Sequence, residues 1–370
     1  MKHTSIVVVG TRGIPDIMGG IETHVEELFP RIVQRGFDVT VIRRSKYVRD
    51  DLKEWHGVKL VDVASPNRKC LECIVHSWSA IWKAWKLGAD IVHVHAIGPA
   101  MLIPLARLLG MRVVFTHHGP DYNRDKWGSL AKLMLRLGER VGCRFANDVI
   151  VISDVIQDLI ARKYHRTRNV HLVYNGVPAP DICDAPEYFR ELGIEKGRYV
   201  LGMCRFVPEK HLHDLVEAFV KLKLAHRIPA DMRLVLAGDT DFEDDYSRSL
   251  KQLARDNDVV LTGFVRGQKL HSLLSNAVCY ALPSSHEGLP IALLEAMSYH
   301  LPVIASAIPA NLEVGLDPDA YHQVGDIDAL SSKLSRICSQ PLSRIHYDMS
   351  KYNWDVIADQ VAAIYSAYLK

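Results

Sequence analysis

The chain has 370 residues, too many for one compact core, so its length predicts two domains of roughly 100–200 residues each. Apolar residues make up 48% and the formal net charge is only +2, a balance that suits a globular enzyme and not a nucleic-acid binder, whose Lys and Arg surplus would show globally. No apolar run reaches the roughly 18 residues a spanning helix needs, and seven scattered Cys without a framework read as reduced cytosolic thiols.

The opening run up to Gly10 is too short and too glycine-terminated for a signal peptide and reads as a buried first strand over 5–10. Gly10-Thr11-Arg12-Gly13-Ile14-Pro15 and Gly19-Gly20-Ile21-Glu22-Thr23 follow it. Paired glycines let a backbone approach a ligand closely. A dinucleotide fingerprint would run straight from strand to helix; here a long loop intervenes, so a nicotinamide site is not expected. Further strands are predicted near 38–43, 58–63, 90–95, 111–116, 148–152 and 170–177, with helices over 20–35, 69–87, 98–109, 126–145 and 153–163. That alternation predicts a parallel sheet covered by helices.

Several residues stand out along this half. Cys70 and Cys73 form a lone C-x-x-C near His76 with no second pair at metal-site spacing, and one face of a helix explains them. His93 and His95 share one face of a strand; a metal pair is conceivable, and plain strand packing, with His95 at a cleft edge, is preferred. Thr116-His117-His118-Gly119 follows the strand Val113-Val114-Phe115. Trp78, Trp82 and Trp85 recur at helical spacing beside Lys83 and Lys86, and Lys132, Arg136, Arg140 and Arg144 recur every four residues. Two readings stand for these stripes: one packed and one solvated face, or a surface for anionic lipid headgroups of the inner membrane leaflet.

Pro178-Ala179-Pro180-Asp181 reads as a linker. The pattern then restarts, with strands at Arg198–Cys204, Met232–Gly238, Val259–Thr262, Ala277–Pro283 and Pro302–Ala305. Helices are predicted over His213–Ala225 and Tyr246–Asn257, and a terminal one over Tyr352–Lys370 carries Ile357, Val361 and Ile364 on one side. In Gly202-Met203-Cys204-Arg205-Phe206-Val207-Pro208-Glu209-Lys210, Arg205 and Lys210 follow a strand end, where the ligand crevice of a doubly wound sheet opens. Asp239-Thr240-Asp241 is a D-x-D, a pattern that elsewhere holds a diphosphate-bound metal. Ser284-Ser285-His286-Glu287-Gly288-Leu289-Pro290 leads into a helix carrying Glu295, with Pro290 expected in its first turn. Strand, glycine-bearing loop and helix start aim free N–H groups and a positive helix end at one point, which suits a phosphate. Glu287 suits hydroxyls or developing positive charge, and Glu295 a ribose diol.

Glu287 to Glu295, with the Glu-Gly-Leu-Pro opening, resembles the E-x7-E motif of retaining glycosyltransferases with the GT-B fold, most closely glycosyltransferase family 4. The resemblance covers nearly the whole chain. It implies an α/β fold of two Rossmann-like domains facing a cleft. Residues 1–178 with the C-terminal helix 353–370 would form the acceptor domain, and 179–352 the nucleotide-sugar donor domain. It implies Glu295 on the ribose, Arg205 and Lys210 on the diphosphate, Glu287 on the sugar hydroxyls, the Gly288 and Leu289 amides on phosphate, Gly20 near the donor phosphates and His118 near the reacting carbon. His211 stands where the family usually carries Gly, which affects the local turn and not the charges. Gly-Thr-Arg-Gly-Ile-Pro is similar to a rhamnosyltransferase-like subset. Leu234–Gly238, before the D-x-D, is similar to the family's Gly-rich turn, and with Arg205 and Lys210 supplying charge the resemblance implies that no metal and no cofactor are required.

The resemblance thus implies a retaining hexosyltransferase-type enzyme. It would move a sugar from a nucleotide-sugar to a hydroxyl of a glycan or lipid-linked saccharide in cell-surface polysaccharide synthesis. The expected location is cytoplasmic, with membrane contact as an open reading and no nucleic-acid partner. Front-face attack, with the leaving phosphate taking the acceptor proton, is the implied route. A nucleotide-sugar epimerase would need several cleft acids and bases, and a non-catalytic sensor would bind donor without turnover.

Overall fold

In the computed structural model, residues 4–65, 69–124, 127–240 and 243–368 are described. The chain divides into two compact units, Met1–Gly176 with Lys351–Lys370, and Val177–Ser350.

In the first unit the order is β1 (Ser5–Val9), α1 (Gly20–Gln34), β2 (Asp38–Arg44), β3 (Glu54–Trp55), β4 (Val58–Val63), α2 (Lys69–Lys86), β5 (Ile91–His95), α3 (Ile103–Leu108), β6 (Arg112–His117), α4 (Ser129–Phe145), β7 (Asp148–Val151), α5 (Asp154–Tyr164) and β8 (Val170–Leu172). The strands lie in the order β3-β4-β2-β1-β5-β6-β7-β8. Each neighbouring pair is parallel except the short β3 against β4. Val and Ile fill these strands because both faces are covered, so β1 is buried from Ile6 to Val9. The helix expected over 98–109 is split. A 3-10 turn spans Pro99–Leu102, and Pro104 in the first turn of α3 restarts the helix. The strand expected over 170–177 pairs only to Leu172, because Asn175 leaves the ladder to bond His24. The C-terminal helix (Trp354–Ser366) packs on α1 and adds Trp354, Ile357, Val361, Ile364 and Tyr365 to the same core as Ile6, Val8 and Phe29. Gly176 makes room for it, since a Cβ there would lie 2.6 Å from the Trp354 ring.

The second unit runs α6 (Pro186–Leu192), β9 (Tyr199–Met203), α7 (Leu212–Leu224), β10 (Arg233–Ala237), α8 (Asp245–Asp256), β11 (Val260–Gly263), α9 (Gly267–Asn276), β12 (Cys279–Leu282), α10 (Ile291–Ser298), β13 (Val303–Ser306), α11 (Pro309–Leu312), β14 (Tyr321–His322) and α12 (Ile327–Cys338). Its parallel sheet has the order β11-β10-β9-β12-β13-β14. Pro290 is not inside α10; it caps the helix from outside in an extended conformation, ψ 103°, and the helix begins at Ile291.

Strand order reverses between β1 and β5 in the first unit and between β9 and β12 in the second. At such switch points the connections leave in opposite directions and open a crevice beyond the strands' carboxyl ends. Each unit therefore supplies one crevice, and the chemistry-bearing residues collect at these two places.

Candidate active site

The second unit's crevice lies where β9 and β12 end. The Tyr280 hydroxyl on β12 donates to the Met203 carbonyl of β9 at 3.0 Å. The chain then leaves β9 through Cys204 and Arg205, and Gly238 crosses so close that a Cβ would lie 2.0 Å from the Cys204 carbonyl. A 3-10 turn over Pro208–Lys210 follows. The loop after β12 is tied to that turn: the Ser285 amide and hydroxyl both donate to the Glu209 carbonyl, at 2.9 and 3.3 Å. This pinning brings Lys210 and Glu287, 77 positions apart, into contact, with Nζ 2.5 Å from Oε1. Both side chains are largely buried, 16% and 8% exposed.

Neighbouring groups register the same convergence. Burial pushes the Cys204 thiol up to about 12, and Lys210, Glu287, Arg205 and Glu209 all act on it electrostatically. Burial also raises the Tyr280 hydroxyl well above its ordinary value, with Glu287 and Glu295 adding to the effect. Arg205, Lys210 and Glu287 thus lie within electrostatic reach of Cys204, and Glu287 and Glu295 within reach of Tyr280. Gly288 is half-buried and Leu289 buried next to Glu287. Two cations, two carboxylates and a glycine-bearing loop before a helix can hold a diphosphate together with a polyol. Of the D-x-D, Asp239 accepts from Lys251 at 2.8 Å, while Asp241 lies outside the described residues.

His118 and Gly20 belong to the first unit. A Cβ on Gly10 would lie 2.2 Å from the His95 carbonyl, so β1 and β5 nearly touch at their switch point. Gly19, at φ 147°, precedes α1, and space beside Gly20 is open. The loop before them is fixed by Glu22, which binds Arg12 through a 3.2 Å ion pair and accepts the Arg12 amide at 3.1 Å. Burial pushes the Glu22 carboxyl up, but Arg12 outweighs it and the group stays below its ordinary value.

Three histidines gather here. His95 Nδ1 lies 2.9 Å from His118 Nε2, and His24 meets the His118 ring edge-on at 5.0 Å. His93 stacks on His95 at 4.3 Å and reaches Tyr365 at 2.5 Å and Thr116 at 2.6 Å. Burial depresses all four: His24 to about 4, His93 to about 3, His95 and His118 well below the ordinary value. His118 is therefore an uncharged ring at neutral pH, a hydrogen-bonding group and not a cation. His93 and His95 are both buried in β5, and His95 also gathers with His24 and His118, with one donor atom of each within 4.8 Å of the others. The side chains of Cys70 and Cys73 lie outside the described residues.

Sequence reasoning passed over His24, His117 and Glu139. His24 is held by Asn175 at 2.9 Å, and His117 by Glu139 at 3.0 Å. A histidine two turns into no obvious motif gives little signal, but the doubled His117-His118 was visible.

Comparison with known proteins adds to the geometry. A family model described as Glycosyltransferase Family 4 matches residues 18–179, and one described as Glycosyl transferases group 1 matches 184–354. An uncharacterised glycosyltransferase of Methanocaldococcus jannaschii is 24% identical over 95% of both chains. The UDP-Gal:alpha-D-GlcNAc-diphosphoundecaprenol alpha-1,3-galactosyltransferase of Escherichia coli is 25% identical, covering 93% of this chain and 90% of that one. The phosphatidyl-myo-inositol mannosyltransferase of Mycolicibacterium smegmatis is 26% identical, covering 95% and 90%. Among solved structures, sucrose-phosphate synthase from Thermosynechococcus elongatus has a TM-score of 0.83 at 19% identity, with 99% of each chain covered. The HepE protein of Anabaena, in complex with UDP-glucose, has a TM-score of 0.76 at 18% identity over 99% of this chain and 100% of that one.

Proposed function

Because this chain belongs to the GT-B glycosyltransferases of family 4, we propose that it moves a hexose from a nucleotide-sugar to a hydroxyl of a glycan or lipid-linked saccharide, with retention at the anomeric carbon. The observation that carries this reading is the Lys210–Glu287 contact at the switch point of the second unit. A lysine offers three donors, so Lys210 can keep its bond to Glu287 and still donate a hydrogen bond to a phosphate oxygen. Glu287 in turn fixes where that charge sits and offers its other oxygen to sugar hydroxyls.

In this reading Arg205 and Lys210 hold the diphosphate, the Gly288 and Leu289 amides assist, and Glu295 takes the ribose diol. For the first unit, the roles proposed from the family resemblance are donor phosphates for Gly20, which has open space beside it, and the transferred sugar for neutral His118. Negative charge grows on the leaving diphosphate as the glycosidic bond breaks, and fixed cations lower that barrier without reorganising. The departing phosphate oxygen takes the acceptor proton, and the hydroxyl attacks from the same face. Arg205 and Lys210 supply the charge, so no metal or other cofactor is assigned a step.

The acceptor is proposed to be lipid-linked, in cell-surface polysaccharide synthesis. Two relatives similar over nine-tenths of the chain are named for diphosphoundecaprenol and phosphatidylinositol substrates. The exposed face of the first unit fits this. Leu130, Leu133 and Leu137 on α4 are 74%, 60% and 45% exposed, beside exposed Arg136, Arg140 and Arg144. α3 touches both α2 and α4, and it adds exposed Leu108 to the Trp78 and Trp85 of α2. Among the described residues, no helix is long and apolar enough to cross a membrane, so contact would be peripheral, on the cytoplasmic leaflet.

The test is a thermal-shift screen across UDP-, GDP-, ADP- and dTDP-sugars, followed by NMR assignment of the product anomer. Stabilisation by one donor class, and an α-product from an α-donor, is the expected result. Absence of any shift, or nucleotide release without acceptor, defeats the reading.

A further inference from the structure

Directly after Lys210, the chain turns into α7 through His211, whose φ of +50° is the left-handed conformation that glycine adopts freely and other residues adopt at a cost. The backbone conformation turns this ring toward the first turn of the helix. Its Nδ1 lies 3.1 Å from Oδ2 of Asp214, and the other carboxylate oxygen lies 3.0 Å from Nε2 of His213. One donor atom from each of the three falls within 4.8 Å of the others. Asp214 is buried, and burial pushes its carboxyl up, but His211 and His213 hold it below the ordinary value, so it is an anion.

The surroundings are those of a ligand set. His213 is anchored through its other nitrogen, with Nδ1 3.1 Å from the Tyr246 hydroxyl, and anchoring the far nitrogen is how proteins orient a metal-binding imidazole. Buried His322 donates Nδ1–H to the Gln323 carbonyl at 2.8 Å. Its Nε2 therefore carries the lone pair of the neutral ring and has no hydrogen-bond partner among the described residues, and His322 lies within electrostatic reach of Asp214. His211 and His213 keep 26% and 37% of their side-chain surface in water, which gives an ion a way in.

We infer that His211, His213 and Asp214 form a binding site for a first-row divalent transition metal of the Zn2+ class, one residue beyond Lys210. Two imidazoles and one carboxylate are nitrogen and oxygen donors suited to zinc, leaving a fourth position for water. The site does not rest on the proposed transfer reaction, and no step of that reaction passes through the ion.

The untagged full-length chain is titrated with Co2+ as a spectroscopic stand-in, and the visible ligand-field band is then displaced with Zn2+. The wild type is expected to show a saturable one-to-one band, and His211→Gly and His213→Ala to weaken binding tenfold or more. Glycine suits the φ of position 211, so that variant keeps its fold, checked by its metal-free melting temperature. His24→Ala, in the separate histidine group of the first unit, is expected to leave the band unchanged. Equal Co2+ affinity in wild type and His211→Gly, or a band that follows His24 instead, overturns the inference. Either result leaves the nucleotide-sugar thermal shift untouched, so the two readings fail separately.

Discussion

Glu139 accepts the Nε2 hydrogen of His117 at 3.0 Å, and the other ring nitrogen of that histidine accepts the Gly119 amide at 3.1 Å. This chain of two bonds runs from the middle of α4 to the turn that carries His118. Lys163 at 2.5 Å and the Tyr122 hydroxyl at 3.2 Å complete the carboxylate's shell, with Tyr164 also bonded to it. Burial pushes the Glu139 carboxyl up, but His117, Lys163 and Tyr164 outweigh it and hold it at about 2.

Glu139→Gln is therefore expected to cost about 1–3 kcal/mol at pH 7, because it removes a buried carboxylate acceptor from His117, Tyr122 and Tyr164, while Lys163, 40% exposed, regains water. A carboxyl whose folded pKa is depressed stabilises the fold above its ordinary value of 4.5, and that contribution is lost as pH falls through about 2. Urea midpoints of wild type and variant should thus stay apart at neutral pH and draw together below pH 4.5. A constant gap down to pH 3 would show that charge is not what the network stabilises.

Lys210 and Glu295 are expected to separate in kinetics. Removing a cation that meets charge grown only in the transition state lowers turnover, on the order of 100-fold for Lys210→Ala, with donor affinity within several-fold. A ribose contact is made equally in ground and transition states. Glu295→Ala should therefore raise the donor KM by ~10-fold or more and leave kcat within a few-fold. Steady-state kinetics against varied donor, with calorimetry of the nucleotide product, reads both. An unchanged donor KM in Glu295→Ala would remove the ribose role.

Buried His24 and His93 of the first unit carry a pH dependence of a different origin. Burial depresses His24 to about 4 and His93 to about 3, while an unfolded chain leaves them near 6.5. Below that value the unfolded state takes up more protons than the folded one, so stability falls with pH. At pH 5 each such group is worth roughly 2 kcal/mol against folding. Denaturation of the first unit between pH 8 and pH 5 should show this loss, and His93→Phe should flatten it even if its absolute stability is lower. A stability that rises toward pH 5 would contradict neutral burial.

Much of this architecture was legible because parallel strands buried on both faces leave continuous Val and Ile runs, as in Ile6–Val9. The pair of switch points was not, since strand order depends on packing between segments far apart in sequence. α12 was legible and unread: Asp326 caps it by accepting from the Ala329 amide, and Leu330, Leu334 and Cys338 repeat every four residues. For the site, residue types and their loops could be named, and the direct Lys210–Glu287 contact could not. It exists because Ser285 ties to the Glu209 carbonyl, a bond between two turns that no local pattern encodes. His211 was noticed as an oddity in a turn, yet its meaning needed the ring's direction toward Asp214.

The exposed leucines and arginines of α4 lead to the last prediction. Leu133 and Leu137 lie on the same exposed surface as Arg140 and Arg144, an arrangement that gains both from inserting apolar side chains at a headgroup boundary and from anionic charge. Each basic residue near an anionic leaflet is worth about 1 kcal/mol. Reversing two charges with Arg140→Glu and Arg144→Glu should therefore weaken binding to phosphatidylglycerol-rich vesicles by roughly 30-fold or more. Binding to pure phosphatidylcholine vesicles should be weak in both proteins, and turnover with a water-soluble acceptor analogue should not change. Cosedimentation that ignores both the anionic lipid content and the charge reversal would mean that this face meets water, and that the lipid-linked acceptor must come to the enzyme by another surface.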